Sequence, residues 1–300
     1  MEETILQVNH LTKKYHKNVV LNDVSMTIKR GDIYGFVGKN GAGKTTLIRV
    51  ISGLAIEDDG SFELFGVSSK SRKISQMRKK VCAMVESPSI YPDLSAYDNL
   101  KMQCLITKKK FDCINELLEF VSLSHTKNKP AKDFSLGMRQ RLGIAMALVS
   151  EPEFMLLDEP INGLDPEGIK QVRELLLKMH REKNVTILIS SHILTELALF
   201  ATRYGFIDKG QIIKEATIEE IRNSTKEDCY ITTSDNEKAR VILESIGYKC
   251  EIFNNEIHLK EDIDLMKTTD LFRKNDVLLL KHQRNTIDLE NYFMDLLGGR

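Results

Sequence analysis

Between an apolar run, DIYGFVG (32–38), and a segment whose Leu47, Ile48, Val50, Ile51 and Leu54 recur at helical spacing, the chain reads GKNGAGKT (38–45). No other stretch restricts the fold as strongly. The eight residues match G-x-x-x-x-G-K-[ST], and their flanks supply the strand, loop and helix in the order such a loop needs. Gly41 and Gly43 let the backbone bend so that successive N–H groups converge on a β-phosphate, with the N-terminus of the next helix behind them. Lys44 brings a point charge to the β- and γ-phosphates, and the Thr45 hydroxyl is a ligand for Mg²⁺. Gly38, Lys39, Asn40, Gly41, Ala42, Gly43, Lys44, Thr45 and Thr46 form the expected nucleotide-binding run.

FMLLDEP (154–160) reads as the other half of that site. Asp158 ends a buried strand, where its carboxylate reaches the magnesium directly or through water. Glu159, one residue on, is the natural general base for an attacking water. FMLLD and VTILIS (185–190) are continuous apolar runs, the pattern of strands buried on both faces of a parallel sheet. Between them, Ile169, Val172, Leu175, Leu176 and Met179 form one helical face, and Asp165-Pro166 supplies an N-cap and a first-turn proline. The fold class is α/β.

Around this core the pattern changes twice. Residues 95–151 are mostly helical by pattern and read as an inserted lobe spanning about 88–152, while VSMTI (24–28) alternates as a half-buried antiparallel strand does. YGFIDKGQII reads as a hairpin turning at Lys209-Gly210. All six prolines lie between Pro88 and Pro166, and the motifs stop near Thr217. The remainder predicts a strand (YITT), a helix stopped by Gly247, a hairpin (KCEIF, NN, EIHL), a helix, a strand (VLLLK) and a last helix, which is a small α+β domain. The expected division is 1–217, a linker over 218–228, and 229–300.

Composition removes several function classes. With 43 basic and 43 acidic side chains the chain has no net field to draw it onto nucleic acid or an anionic membrane. No apolar run approaches the roughly 20 residues that span a bilayer, so a membrane role requires a partner. The start, MEETILQVNH, has neither the basic nor the apolar segment of a signal peptide, which predicts a cytosolic chain. The five cysteines include no CxxC pair and fit reduced thiols rather than a disulfide or zinc framework.

FSLGMRQRLGIAMAL (134–148), lying just before the FMLLDEP strand, is similar to the LSGGQ signature of ATP-binding cassette (ABC) ATPases, and residues 5–215 resemble such a cassette throughout. Ser135 and Gly137 match the serine and second glycine of the signature, whereas Phe134, Leu136 and Met138 depart from it. The resemblance implies a P-loop cassette with an inserted helical lobe, ATP and Mg²⁺ as cofactors, and a signature that contacts the γ-phosphate of ATP held by a second cassette. It implies further that Tyr15 stacks on adenine, that NGLDP (162–166) crosses the dimer interface, and that His192 hydrogen-bonds the γ-phosphate. Glu86, in AMVESPSIYP, occupies the position where most cassettes carry a glutamine ligand to the metal.

Within this family the likeness is to ATPases of bacitracin-resistance and lantibiotic self-protection exporters, carried by FSLGMRQRLGIA, VESPSIYPDLSAYDNL and the tail DLENYFMDLLGG. The expected function is ATP hydrolysis by a cassette dimer, paired with itself or a paralogue, that powers a separate permease from the inner face of the cell membrane. A single phosphate loop argues against a tandem-cassette factor. The absence of a coiled-coil insertion and of a basic face argues against a DNA-acting one. A cytosolic regulator or assembly factor of the same ATPase class is the alternative.

Overall fold

The computed structural model describes residues 3–224, 229–253, 255–259, 263–284 and 289–298. The chain divides into two units, Met1–Ala216 and Thr217–Arg300.

In the first unit a hairpin of β1 (Thr4–Tyr15) and β2 (Asn18–Lys29) leads to β3 (Ile33–Val37) and, through the glycine loop, to α1 (Lys44–Ser52). β4 (Asp59–Leu64) and β5 (Val67–Ser68) then complete an antiparallel sheet of order β2-β1-β4-β5. After α2 (Ile74–Arg78) and β6 (Val81–Met84) come the lobe helices α3 (Ala96–Thr107), α4 (Ile114–Phe120) and α5 (Leu136–Leu148). The chain returns through β7 (Phe154–Asp158), α6 (Pro166–Lys183), β8 (Thr186–Ser191), α7 (Leu194–Leu197), β9 (Arg203–Asp208) and β10 (Gln211–Thr217).

β3 and β6 to β9 form a parallel array in a sheet of order β10-β9-β3-β8-β7-β6. Every residue of β3, β7 and β8 is buried, which is why these strands read as unbroken apolar runs. Enclosing a side chain such as Phe36 or Phe154 stabilises by about 1.5–3 kcal/mol each. In register, Val37 lies opposite Ser191 and Asp158 opposite Ser190, so three strands deliver their carboxyl ends to one edge. Ligands of open α/β sheets bind outside that edge. Behind it, the buried Tyr34 hydroxyl donates to Glu215 at 2.7 Å, Thr27 N–H donates to the same oxygen at 3.2 Å, and burial pushes the Glu215 carboxyl up.

The second unit starts with α8 (Ile218–Ser224), followed by β11 (Cys229–Thr233), α9 (Asn236–Ser245), β12 (Cys250–Phe253), β13 (Glu256–Leu259), α10 (Leu265–Lys274), β14 (Leu279–Arg284) and α11 (Leu289–Gly298). Its sheet, of order β12-β13-β11-β14, is antiparallel throughout. Cys229, Ile231, Ile257 and Leu259 face α9 and α10 in a core with Leu243 and Phe272.

Several boundaries differ from the pattern. α1 closes at Gly53 in the left-handed region, so Leu54 lies past the helix and is exposed. The stretch read as a linker from 218 holds α8, capped by a reciprocal pair in which Glu220 N–H donates to Thr217 Oγ1 and Thr217 N–H to Glu220 Oε2. Its last residues, 225–228, lie outside the described residues, as do Asn254 of the predicted NN turn and both ends of the DLENYFMDLLGG tail. β14 begins two residues later than VLLLK implies, because Val277 N–H still bonds to Phe272 O at the end of α10.

Candidate functional site

The glycine loop leaves β3 and turns into α1 at Gly43, whose φ of 112° is in the left-handed region. A Cβ there would also stand 2.7 Å from Leu21 Cδ2, so the site tolerates glycine alone. Ala42 O accepts from Gly210 N–H at 3.0 Å, and Gly210 O accepts from Asn22 N–H at 2.8 Å. The loop is thus bound through the β9–β10 turn to the first hairpin. Tyr15 ends β1 in that hairpin, 42% exposed, with Lys13 Nζ 5.3 Å from its ring centroid.

Lys44 is 5% exposed and folds back over its own loop. Its Nζ donates to Gly38 O at 2.6 Å and to Lys39 O at 3.3 Å, and stands 3.3 Å from Glu159 Oε1. The other oxygen of Glu159 is 2.8 Å from His192 Nδ1. Glu159 has φ 49°, strained for a residue with a side chain, and its N–H is held by Ser190 O at 3.1 Å and Ser190 Oγ at 3.0 Å. Lys44, Glu159 and His192, three residues from three separate sequence segments, therefore converge.

Beside them, Thr45 Oγ1 donates to Asp158 Oδ2 at 2.7 Å and Ser190 Oγ donates to Asp158 Oδ1 at 2.6 Å. Asp158 is 3% exposed, so these two hydroxyls are what steady its carboxylate. Hydroxyl and carboxylate oxygens are the hard donors that Mg²⁺ takes. Among the described residues no cluster of three His, Cys, Asp or Glu side chains could hold a metal on its own. The hydroxyl and carboxylate of the Thr45–Asp158 pair fit magnesium by their donor chemistry.

Glu86 does not join Thr45 and Asp158. Its backbone has φ 65°, its side chain is 68% exposed, and its carboxylate accepts from Arg49 at 2.6 Å. Ser135 caps α5, accepting from Met138 N–H at 3.2 Å, while Gly137 packs against α6, where an added Cβ would lie 3.6 Å from Gly168 Cα. Asp165 caps α6 through Gly168 N–H at 3.2 Å. Leu136 is exposed beside Gly163, so the signature and the NGLDP segment share one surface.

Two partners escape a motif-based reading. Ser190, in VTILISSH, is indistinguishable from any small residue ending a strand until its register with Asp158 is known. Arg49 belongs to no motif of the α1 helix, and only contact with Glu86 marks it.

Residues 21–162 match the ABC transporter family. Over 99% of its length the chain is 38% identical to the bacitracin transport ATP-binding protein BcrA of Bacillus licheniformis, covering 98% of that protein. The chain belongs to the ABC transporter ATP-binding proteins. This ABC ATPase is also 41% identical, over 70% of its length, to 90% of the lantibiotic transport ATP-binding protein SrtF of Streptococcus pyogenes. Among solved structures, cbiO1 from Clostridium perfringens, part of the ABC transporter complex cbiONQ, superposes with a TM-score of 0.67 at 27% identity, covering 81% of this chain and 96% of that one. The ABC ATPase binds and hydrolyses nucleotide in the α/β cassette fold described above. Among its described residues no helix is long and apolar enough to cross a membrane.

Proposed function

We propose that two copies of the cassette, or one copy and a paralogue, sandwich ATP·Mg²⁺ and drive a separate membrane permease that exports a peptide antibiotic or similar amphiphile. The observation that carries this reading is the convergence of Lys44, Glu159 and His192 at the carboxyl ends of β3, β7 and β8. The likeness to BcrA along nearly the whole of both chains, and to SrtF, supports antibiotic export over a non-transport regulator.

In this mechanism the backbone of residues 38–46 receives the phosphates, Lys44 neutralises β- and γ-oxygens, and Tyr15 stacks on the adenine. Thr45 and Asp158 would hold the magnesium, which supplies positive charge to the phosphates as negative charge builds on the leaving oxygen. Glu159 takes the proton of the attacking water, and His192 fixes the Glu159 carboxylate and reaches the γ-phosphate. Ser135 and the backbone of Gly137 meet the γ-phosphate bound to the partner cassette. The ATPase then sits peripherally on the inner face of the membrane through its permease.

Replacing Glu159 by glutamine removes the base but leaves the phosphate contacts, so ATP with Mg²⁺ is expected to hold the Glu159→Gln chain as a dimer. Size-exclusion chromatography reads this directly. A variant that binds ATP yet stays monomeric at high protein concentration overturns the sandwich.

A further inference from the structure

The helices α4, α5 and α6 border a cleft of about 440 Å³ whose walls contain none of the nucleotide-site residues. Its most unusual member is Arg141, on α5, only 9% exposed. One terminal nitrogen donates to Val121 O at 2.8 Å and Ser122 O at 3.1 Å, capping the carbonyl end of α4. The cap uses one nitrogen of three. Among the described residues Nε is buried with no acceptor, and burial lowers the Arg141 pKa. A guanidinium so placed is a desolvated positive charge whose natural complement is an oxyanion received by several N–H groups.

The lining holds a second cation. Lys178, on α6, lines the cleft with its Nζ 4.2 Å from the centroid of the Phe120 ring. Among the described residues Glu174 is the one acidic side chain of the lining, and its carboxylate lies 3.9 Å from Lys170 Nζ. Ser122 and His125 add further polar groups to the lining, while Phe120 and Leu175 supply apolar wall. The volume far exceeds one phosphate group, and the apolar wall gives the excess a use.

We propose that this cleft binds a small organic phosphate, its phosphoryl oxygens between Arg141 and Lys178 and its organic part against Phe120 and Leu175. The site is separate from the ATP site and does not depend on the transport reading. Its position matters because α5 begins at the Ser135 cap and α6 at Asp165-Pro166. An occupant joining the two helices fixes the signature relative to the NGLDP segment.

Phenyl phosphate is a suitable probe, titrated calorimetrically into the full chain saturated with ADP and Mg²⁺ and, separately, into the Lys44→Ala chain. One saturable site per chain is expected in both, with inorganic phosphate weaker and phenol without effect. Lys178→Glu leaves the Arg141 cap intact, so the chain keeps its fold, yet it should weaken phenyl phosphate by about tenfold or more. Absence of saturable binding overturns the proposal. So does equal affinity in Lys178→Glu, or binding that disappears in Lys44→Ala, which would return the anion to the nucleotide loop.

Discussion

Ser190→Ala deletes a single buried oxygen, and the structure fixes what that should cost. The hydroxyl donates to Asp158 Oδ1 at 2.6 Å and accepts from Glu159 N–H at 3.0 Å. Glu159 N–H retains Ser190 O, so that side loses little. Asp158, 3% exposed, loses one of its two hydroxyl donors and cannot replace it with bulk water. A hydrogen bond to a charged acceptor contributes about 1.5–3 kcal/mol, which puts the loss near 2 kcal/mol. For a unit of this size each kcal/mol lowers the melting point by about 2–4 °C, giving a fall of about 4–8 °C by calorimetry. Steady-state ATPase should fall as well, by about tenfold, because the base and the carboxylate beside it lose a common anchor. A midpoint within about 1 °C of wild type, the range of an ordinary surface change, refutes the claim that Ser190 organises the site.

Two further outcomes follow from pairs elsewhere in the cassette. The Arg49–Glu86 pair is exposed and worth under about 1 kcal/mol, so Glu86→Ala should leave the unfolding midpoint unchanged while reducing resistance in cells more than ATP affinity; Glu86→Gln should retain much of the activity, and wild-type export by Glu86→Ala would show the residue to be dispensable. Burial raises the Glu215 carboxyl above its reference of 4.5, so the folded chain holds that proton longer than the unfolded chain, and stability falls as pH rises from the unfolded value through the folded one. Glu215→Gln keeps an acceptor for Tyr34 and should flatten that fall; urea midpoints measured across the window that decline alike in both chains would count against it.

The sequence exposes those parts of the fold in which one residue type answers one local demand. Gly43 is legible because only glycine fits its φ and its neighbour, and Asp165-Pro166 because a cap and a first-turn proline act within one helix turn. The continuous runs FMLLD and VTILIS announce burial on two faces without revealing which strand lies beside which. Ser190 becomes meaningful only once β7 and β8 are aligned in parallel with Asp158 opposite it, and register is a property of two segments rather than one. Glu86 is the converse case: its position in the family pattern is plain, yet its carboxylate turns to Arg49, a contact set by chain geometry at φ 65°. The helix α8 was hidden because its seven residues are mostly polar and its cap at Thr217 coincides with the end of a strand.

The ammonium of Lys44 has consequences beyond attraction to phosphate. It also contacts Gly38 O, Lys39 O and the Glu159 carboxylate, and that carboxylate is engaged on its other side by His192. Each carboxylate oxygen has two lone pairs, so these contacts leave Glu159 able to accept from a water. A triphosphate competes with that carboxylate for the Lys44 ammonium, so binding of the anion and placement of the base are coupled through one side chain. Fuel and ignition are thereby interlocked, since the side chain that senses the fuel is also the one that holds the trigger.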